Sequence, residues 1–276
     1  MYKKDDLITG RLPVLKPKIF GDIRSDYFSS QQEDCATIKN DVFIEQMDKH
    51  FRSQTQNELT GFGSFPQRDL VMGCQHYIDN LILKYGIDGL QIFEHDYHYY
   101  KKIFPDINYT TLDDLSNDKP LLMAVPFPGH LGKHRQFEEI MEKCNREKID
   151  VHLDCAWMVC AFDIQLHFDQ PCVKSFAMSF SKAYGLHWNK IGLRWSRERD
   201  ESDSVTFLND ADAIPKTLLS VAKFYMDRLP IDYLCKKYKG TYFDICKNLK
   251  LRPANVIHAC FSIDRKILYG LSRFFT

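Results

Sequence analysis

Ser179-Phe180-Ser181-Lys182-Ala183-Tyr184-Gly185-Leu186-His187-Trp188-Asn189-Lys190-Ile191-Gly192 sets the architecture that the rest of the chain must fit. It follows a strand-like run, Val173 to Met178, and leads into a second apolar stretch around Ile191 to Trp195. Upstream, Ile149 to Leu153 fits a buried strand that ends in Asp154-Cys155-Ala156-Trp157. Gly132 to Lys148 fits a polar-faced helix carrying Phe137, Ile140 and Met141, and Leu121 to Val125 fits a strand stopped by Pro126. Strand, helix and strand in that order imply a right-handed crossover within an α/β sheet.

Further out the pattern changes. Leu70, Val71, Cys74, Tyr77, Ile78, Leu81 and Ile82 recur at helical spacing, so Asp69 to Lys84 reads as an amphipathic helix ended by Tyr85-Gly86. Gly89 to Phe93 reads as a short strand before the aromatic segment Tyr97-His98-Tyr99-Tyr100. Residues 1 to about 55 are polar and irregular, with Pro13, Pro17, Gln31, Gln32 and Gln54, and suggest an arm able to pack on a partner subunit. Beyond Asp210 helices dominate, and Pro215 suits a helix start before Leu218, Leu219, Ala222, Phe224 and Tyr225.

Composition excludes several classes. With 276 residues, 44% hydrophobic and 27% charged, the chain is an ordinary globular one with room for a sizeable core. Lys plus Arg and Asp plus Glu both total 37, which removes the electrostatic case for a general nucleic-acid or membrane-surface binder. No apolar run approaches the roughly 20 residues that cross a bilayer. Met1 to Asp6 lacks the apolar core of a signal peptide, so a cytoplasmic protein is expected. The 9 cysteines contain no Cys-x-x-Cys pair, which argues against a zinc knuckle and a disulfide framework. His130, His134 and His187 are too dispersed for a metal site, and His152 on a buried strand reads as a satisfied core histidine.

The opening stretch resembles the cofactor-lysine motif of class I and II aminotransferases, which are fold type I pyridoxal-phosphate (PLP) enzymes. There a Ser-x-Ser step precedes the lysine, a Gly-Leu pair follows at three and four residues, and a basic residue followed by x-Gly comes at eight. Lys182, Gly185, Leu186, Lys190 and Gly192 meet that spacing. Val151-His152-Leu153-Asp154-Cys155-Ala156-Trp157 resembles the family's strand-end Asp-x-Ala-Tyr motif, and the two motifs stand in the family's order. Ala124 to Gly129 looks like a degenerate Asn-Pro-x-Gly turn. The resemblance covers about Thr60 to Ser196. It implies the large-domain sheet of the PLP-transferase fold type I, flanked by helices and truncated, with a reduced, mainly helical C-terminal part. The domain reading is an N-terminal arm over 1–58, a reduced PLP-binding α/β domain over 59–205 and a small helical part over 206–276.

What the resemblance implies about chemistry is specific. Lys182 would form the internal aldimine and move protons at the substrate α-carbon, and burial suits it because desolvation lowers an amine's pKa. Asp154 would pair with the pyridine nitrogen. Ser179, Ser181 and Lys190 would hold the cofactor, with Lys190 and Ser179 on the phosphate. Lysine stands where the family usually has arginine, giving charge with less geometry. Trp157 replaces a tyrosine and can donate through its indole N–H but not ionise. Tyr97, His98, Tyr99 and Tyr100 offer a ring to stack on the cofactor, or core packing.

The chain also departs from the family. Phe127 falls where an asparagine is usual. Between Gly86 and Glu94 there is too little chain for the strand, glycine turn and helix N-terminus that bind the phosphate, so that element is expected to be deleted, with Gly61, Gly63 and Ser64 as a substitute. A homodimer is then expected, because a partner would have to supply phosphate donors. Arg252, Arg265 and Arg273 are the candidates for a substrate carboxylate clamp. Three functions stay open. One is an active PLP enzyme on an amine or amino acid, by transamination or by decarboxylation, retro-aldol or elimination. A second is a degenerate binding or regulatory module. The third is a reduced PLP enzyme acting on an amino group of a modified nucleobase or peptide. Lys182 and Asp154 together favour activity.

Overall fold

Leu121-Leu122-Met123-Ala124 is apolar throughout, which suits a strand covered on both faces, and all four residues are buried. The computed structural model describes residues 2–30, 37–94, 96–97, 99–100, 109–126 and 136–275. In chain order these form β1 (Ile8–Thr9), α1 (Lys18–Ser29), α2 (Asn40–Arg52), β2 (Glu58–Thr60), β3 (Gln67–Val71), α3 (Gly73–Tyr85) and β4 (Leu121–Ala124). There follow α4 (Phe137–Glu147), β5 (Val151–Asp154), β6 (Gln165–His167), β7 (Val173–Ser179), α5 (Phe180–Ala183) and β8 (Gly192–Ser196). The chain ends with α6 (Ser204–Asp210), α7 (Lys216–Met226), α8 (Tyr233–Leu249), β9 (Arg252–Pro253), β10 (Ala259–Phe261) and β11 (Leu268–Gly270).

The central sheet has the order β3-β8-β7-β5-β4. Strands β4, β5 and β7 run parallel, and β8 is antiparallel to both of its neighbours. Beyond β4, parallel bridges Gln91–Leu121 and Phe93–Thr110 extend the pairing. This is the α/β sheet that the sequence led us to expect, with β8 running antiparallel within it. On one face Phe176 stacks on Phe168 at 3.9 Å and on Trp195 at 4.9 Å. Ala177, its neighbour, points the other way into a cluster with Tyr77, Ile78 and Leu81 of α3. The small side chain lets α3 lie close, and the Cys74 thiol donates to the Ala177 carbonyl at 3.4 Å. Burying an aromatic or branched side chain contributes about 1.5–3 kcal/mol, so this two-sided core fixes where the strands end.

One motif glycine is explained by this packing. A Cβ on Gly192 would sit 2.4 Å from the Met178 carbonyl oxygen, so only glycine lets β8 close on β7 at that point. At the far end of the sheet Arg194 donates to Asp69 at 2.7 Å and to Asp203 at 2.7 Å, all three buried. Asp203 also caps α6 by accepting from the Val205 and Thr206 N–H groups, so the ion cluster ties α6 to β3 and β8.

Two expectations need correction. The segment Asp69 to Lys84 is not one helix: it holds the end of strand β3 and then α3, which starts only at Gly73. Leu70 and Val71 fall by coincidence on the helical phase of Cys74, Tyr77 and Ile78, and periodicity merged two elements. The N-terminal stretch is not irregular either. Phe20, Ile23 and Tyr27 line the buried side of α1, and Phe43, Met47 and Phe51 that of α2, within otherwise polar sequence. Helix α2 is anchored by Asp48, which accepts from the Trp195 indole at 2.7 Å. Helix α1 packs on its own chain's α7, with the Tyr225 hydroxyl donating to the Phe20 carbonyl at 2.8 Å. Pro215 does stand at the start of α7, and after α8 an antiparallel sheet of order β1-β11-β10-β9 completes the C-terminal part. Among the described residues no helix is long and apolar enough to cross a membrane.

Candidate active site

Asp154 is the last residue of β5 and pairs with Ala177 of β7, and β7 ends at Ser179 opposite Gly192 of β8. Lys182 lies in the short helix α5 that begins immediately after β7, and Lys190 lies just before β8. The sheet therefore brings Asp154, Ser179, Ser181, Lys182 and Lys190 to the carboxyl ends of its parallel strands, where α/β sheets place ligands.

Asp154 is 4% exposed and accepts from the Ala156 N–H at 3.0 Å. Burial raises its carboxyl to about 6, opposed by the Ala156 hydrogen bond, Cys74 and the charge of Lys182. Burial also lowers the Lys182 amine; Lys190 pushes the same way, while Cys160, Asp154 and Cys74 oppose. The Lys182 Nζ lies 4.5 Å from the centre of the Trp157 ring. Trp157 is thus a wall of the lysine's surroundings. An amine with a lowered pKa facing a buried carboxylate can act as nucleophile and proton carrier while the carboxylate holds a cation.

The strand, glycine turn and helix start expected to be deleted are present, earlier in the chain. Strand β3 runs through Met72 into Gly73, whose φ of +77° requires glycine, and then into α3. A Cβ on Gly73 would lie 3.2 Å from the Lys190 Cβ and 3.7 Å from the Ser181 Oγ. The N-cap residue Met72 makes no side-chain cap to α3, and among the described residues no side chain accepts from the N–H groups of its first turn, which lies beside Lys190 as an anion site would. The Lys190 Nζ donates to Gln75 Oε1 at 3.3 Å in this same turn. Ser179, buried at the end of β7, lies near the Cys74 thiol at the start of α3. Sequence reasoning missed the turn because Gly73 was absorbed into an assumed helix; the signal was a glycine between an apolar strand and an amphipathic helix. Gly61, Gly63 and Ser64 are not its substitute. They precede Gln67, which pairs with Ser196 at the other end of β3 from Gly192.

The remaining candidates are distributed as follows. Tyr97 borders the site: burial first, then the charge of Asp154, raises its hydroxyl to about 12. Tyr99 reaches Asp79 at 2.8 Å, and Tyr100 is buried. His152 is a buried partner of Ser175 at 2.7 Å. His187 is exposed. Arg252 is exposed on β9, and Arg273 donates to the Asp5 carbonyl at 3.3 Å. Arg265 lines a cavity of about 810 Å³ together with Pro126, Glu58 and Asp163. Phe127, His98, His130 and His134, with part of the degenerate turn, lie outside the described residues. Among the described residues no group of His, Cys, Asp or Glu converges to hold a metal.

The raised Asp154 carboxyl predicts a pH signature. Its folded value, about 6, exceeds the ordinary 3.8, so between these the folded protein keeps a proton that the unfolded chain releases. The stability associated with that proton is present at low pH and lost as pH rises through about 6. Asp154→Asn should therefore stabilise the cofactor-free protein by up to about 3 kcal/mol at neutral pH. The gain should vanish in acid, where Asp154 is already neutral. Urea unfolding at both pH values checks this, and an equal gain at both would count against it.

No protein-family model and no curated protein matches the chain. Solved structures do. Tyrosine aminotransferase from Leishmania infantum is 9% identical, with 96% of this chain and 87% of that one covered at a TM-score of 0.62. A PLP-bound putative aminotransferase from Clostridium difficile 630 is 10% identical, with 93% and 77% covered at 0.61. L-threonine-O-3-phosphate decarboxylase from Porphyromonas gingivalis is 10% identical, with 90% and 83% covered at 0.56. The chain has the fold of the fold type I PLP-dependent aminotransferases, in a shortened form.

Proposed function

We propose that the protein is a PLP-dependent enzyme of aminotransferase type, acting on an amine or amino acid by transamination or related carbanion chemistry. The observation that carries this reading is the meeting of a half-buried amine of lowered pKa, Lys182, and a buried carboxylate, Asp154, at the strand ends beside the glycine turn at Gly73. The residues fit the cofactor: Lys182 would hold it covalently, Asp154 would pair with its ring nitrogen, and the turn at Gly73, with Ser179, Ser181 and Lys190, would take its phosphate. Bound PLP supplies an electron sink for charge developing at the substrate α-carbon. Lys182 then moves the proton at that carbon, its lowered pKa leaving a usable free amine. Trp157 and Tyr97 border the site and limit its exposure to water. A panel of amino donors, followed by visible absorption of the protein with added PLP, tests the reading; a protein that gains no band overturns it.

Lys190→Ala should weaken PLP binding about 10- to 100-fold, the weight of a hydrogen bond to a charged group, while turnover at saturating PLP changes little. Equilibrium dialysis measures the first quantity. Unchanged affinity would place the phosphate elsewhere.

We also propose a cytoplasmic homodimer, on the strength of the motif resemblance. The turn at Gly73 belongs to the same chain as Lys190, so the earlier reason for a partner, a missing phosphate element, no longer holds. Sedimentation with PLP is expected to give twice the 32.4 kDa of the chain. A monomer that turns over would refute this.

A further inference from the structure

His258 sits between β9 and β10 with 0% of its surface exposed, and neither ring nitrogen has a hydrogen-bond partner among the described residues. Native proteins rarely leave a buried polar group unpaired, because its lost hydration is not compensated. A leucine would fill such a position at lower cost. The ring is also held in place. Ile257 N–H donates to the Cys160 carbonyl at 3.0 Å, and the Leu271 N–H donates to the His258 carbonyl at 3.0 Å. The segment around His258 is therefore fastened to the turn that follows Trp157.

That location adjoins the lysine through Trp157. The imidazole packs edge-on to Trp157, 5.0 Å between ring centres at 75°, and Lys182 Nζ lies 4.5 Å from the same indole. We infer that His258 is the substrate-contacting residue of the site, a neutral imidazole that hydrogen-bonds an uncharged polar group on the amine, such as a hydroxyl. The inference rests on the reading that Lys182 carries PLP.

The chemistry of the ring selects the substrate class. Burial lowers the imidazole well below its ordinary value and the Lys182 charge lowers it further, so it offers one N–H donor and one acceptor and no positive charge. A hydroxyl or amide matches that pair. A carboxylate placed there would be a buried anion facing a neutral ring, which is unfavourable. Of the carboxylate-clamp candidates, Arg273 donates to the Asp5 carbonyl and Arg252 is exposed on β9. Amino alcohols and amino amides are thus the favoured class over the corresponding amino acids.

The test uses the PLP-loaded full chain and the change in its visible absorption as ethanolamine, propanolamine, glycine and β-alanine are titrated in. The wild type should bind each amino alcohol at least about 10-fold more tightly than the amino acid of equal length. His258→Leu should lose that preference and bind the amino alcohols about 10- to 100-fold more weakly, with PLP content unchanged and a higher melting temperature. His258→Gln, which keeps a donor and an acceptor, should stay within a few-fold of wild type. Tighter binding of the amino acids by wild type overturns the inference while leaving the PLP reading intact. So does a His258→Leu protein that keeps the preference. A wild type that binds no PLP overturns both. Should His258→Leu fail to fold, the His258→Gln and wild-type titrations decide.

Discussion

Asp154→Ala is expected to lower turnover of the PLP-loaded protein by three or more powers of ten, or about 4 kcal/mol of barrier, while cofactor remains bound. Asp154 is buried, and burial raises its carboxyl to about 6, so it is costly to keep ionised without a cation. The protonated ring nitrogen of PLP would supply that cation, and the proposed pair would keep the ring able to draw electrons from the substrate. Alanine removes the charge without touching the proposed phosphate subsite at Gly73 and Lys190. Single-turnover kinetics at saturating PLP separate the loss of chemistry from a loss of cofactor. A wild-type rate would show that Asp154 is only a strand-end hydrogen-bond acceptor.

Lys182→Ala carries the largest expected effect. Turnover should fall by about five or more powers of ten, because both the covalent linkage and the group that moves the α-proton disappear. PLP should still bind, through Asp154, Ser179, Ser181 and Lys190, but dialyse away. The fold should persist, since the Lys182 amine makes no hydrogen bond or ion pair among the described residues and its ring contact is with Trp157. Circular dichroism together with PLP retention after dialysis distinguishes this result from unfolding. Residual turnover within tenfold of wild type would remove Lys182 from the reaction.

The two motifs were more legible in the sequence than the scaffold around them. Ser179 to Gly192 and Val151 to Trp157 are local motifs whose residues lie at consecutive strand ends, so order along the chain carries over into space. The strands at 121–124, 151–154, 173–179 and 192–196 were legible because they are short runs between polar segments. The glycine turn was not, because Leu70 and Val71 continue the helical phase of α3 and only the positive φ at Gly73 separates the two elements. Helices α1 and α2 were hidden by polar residues around three buried contacts each, in Phe20, Ile23, Tyr27 and Phe43, Met47, Phe51. His258 could not be read from sequence at all. A single histidine near a short strand carries no spacing signal, and its meaning comes from the absence of a hydrogen-bond partner beside Trp157.

Borohydride reduction of the PLP-loaded protein, followed by peptide mass mapping, reads out which lysine carries the cofactor. One stable adduct is expected, on the peptide containing Lys182, and no adduct on that peptide in Lys182→Ala. An adduct fixed on Lys190 or another lysine, or none in a protein that holds PLP, would contradict the assignment to Lys182.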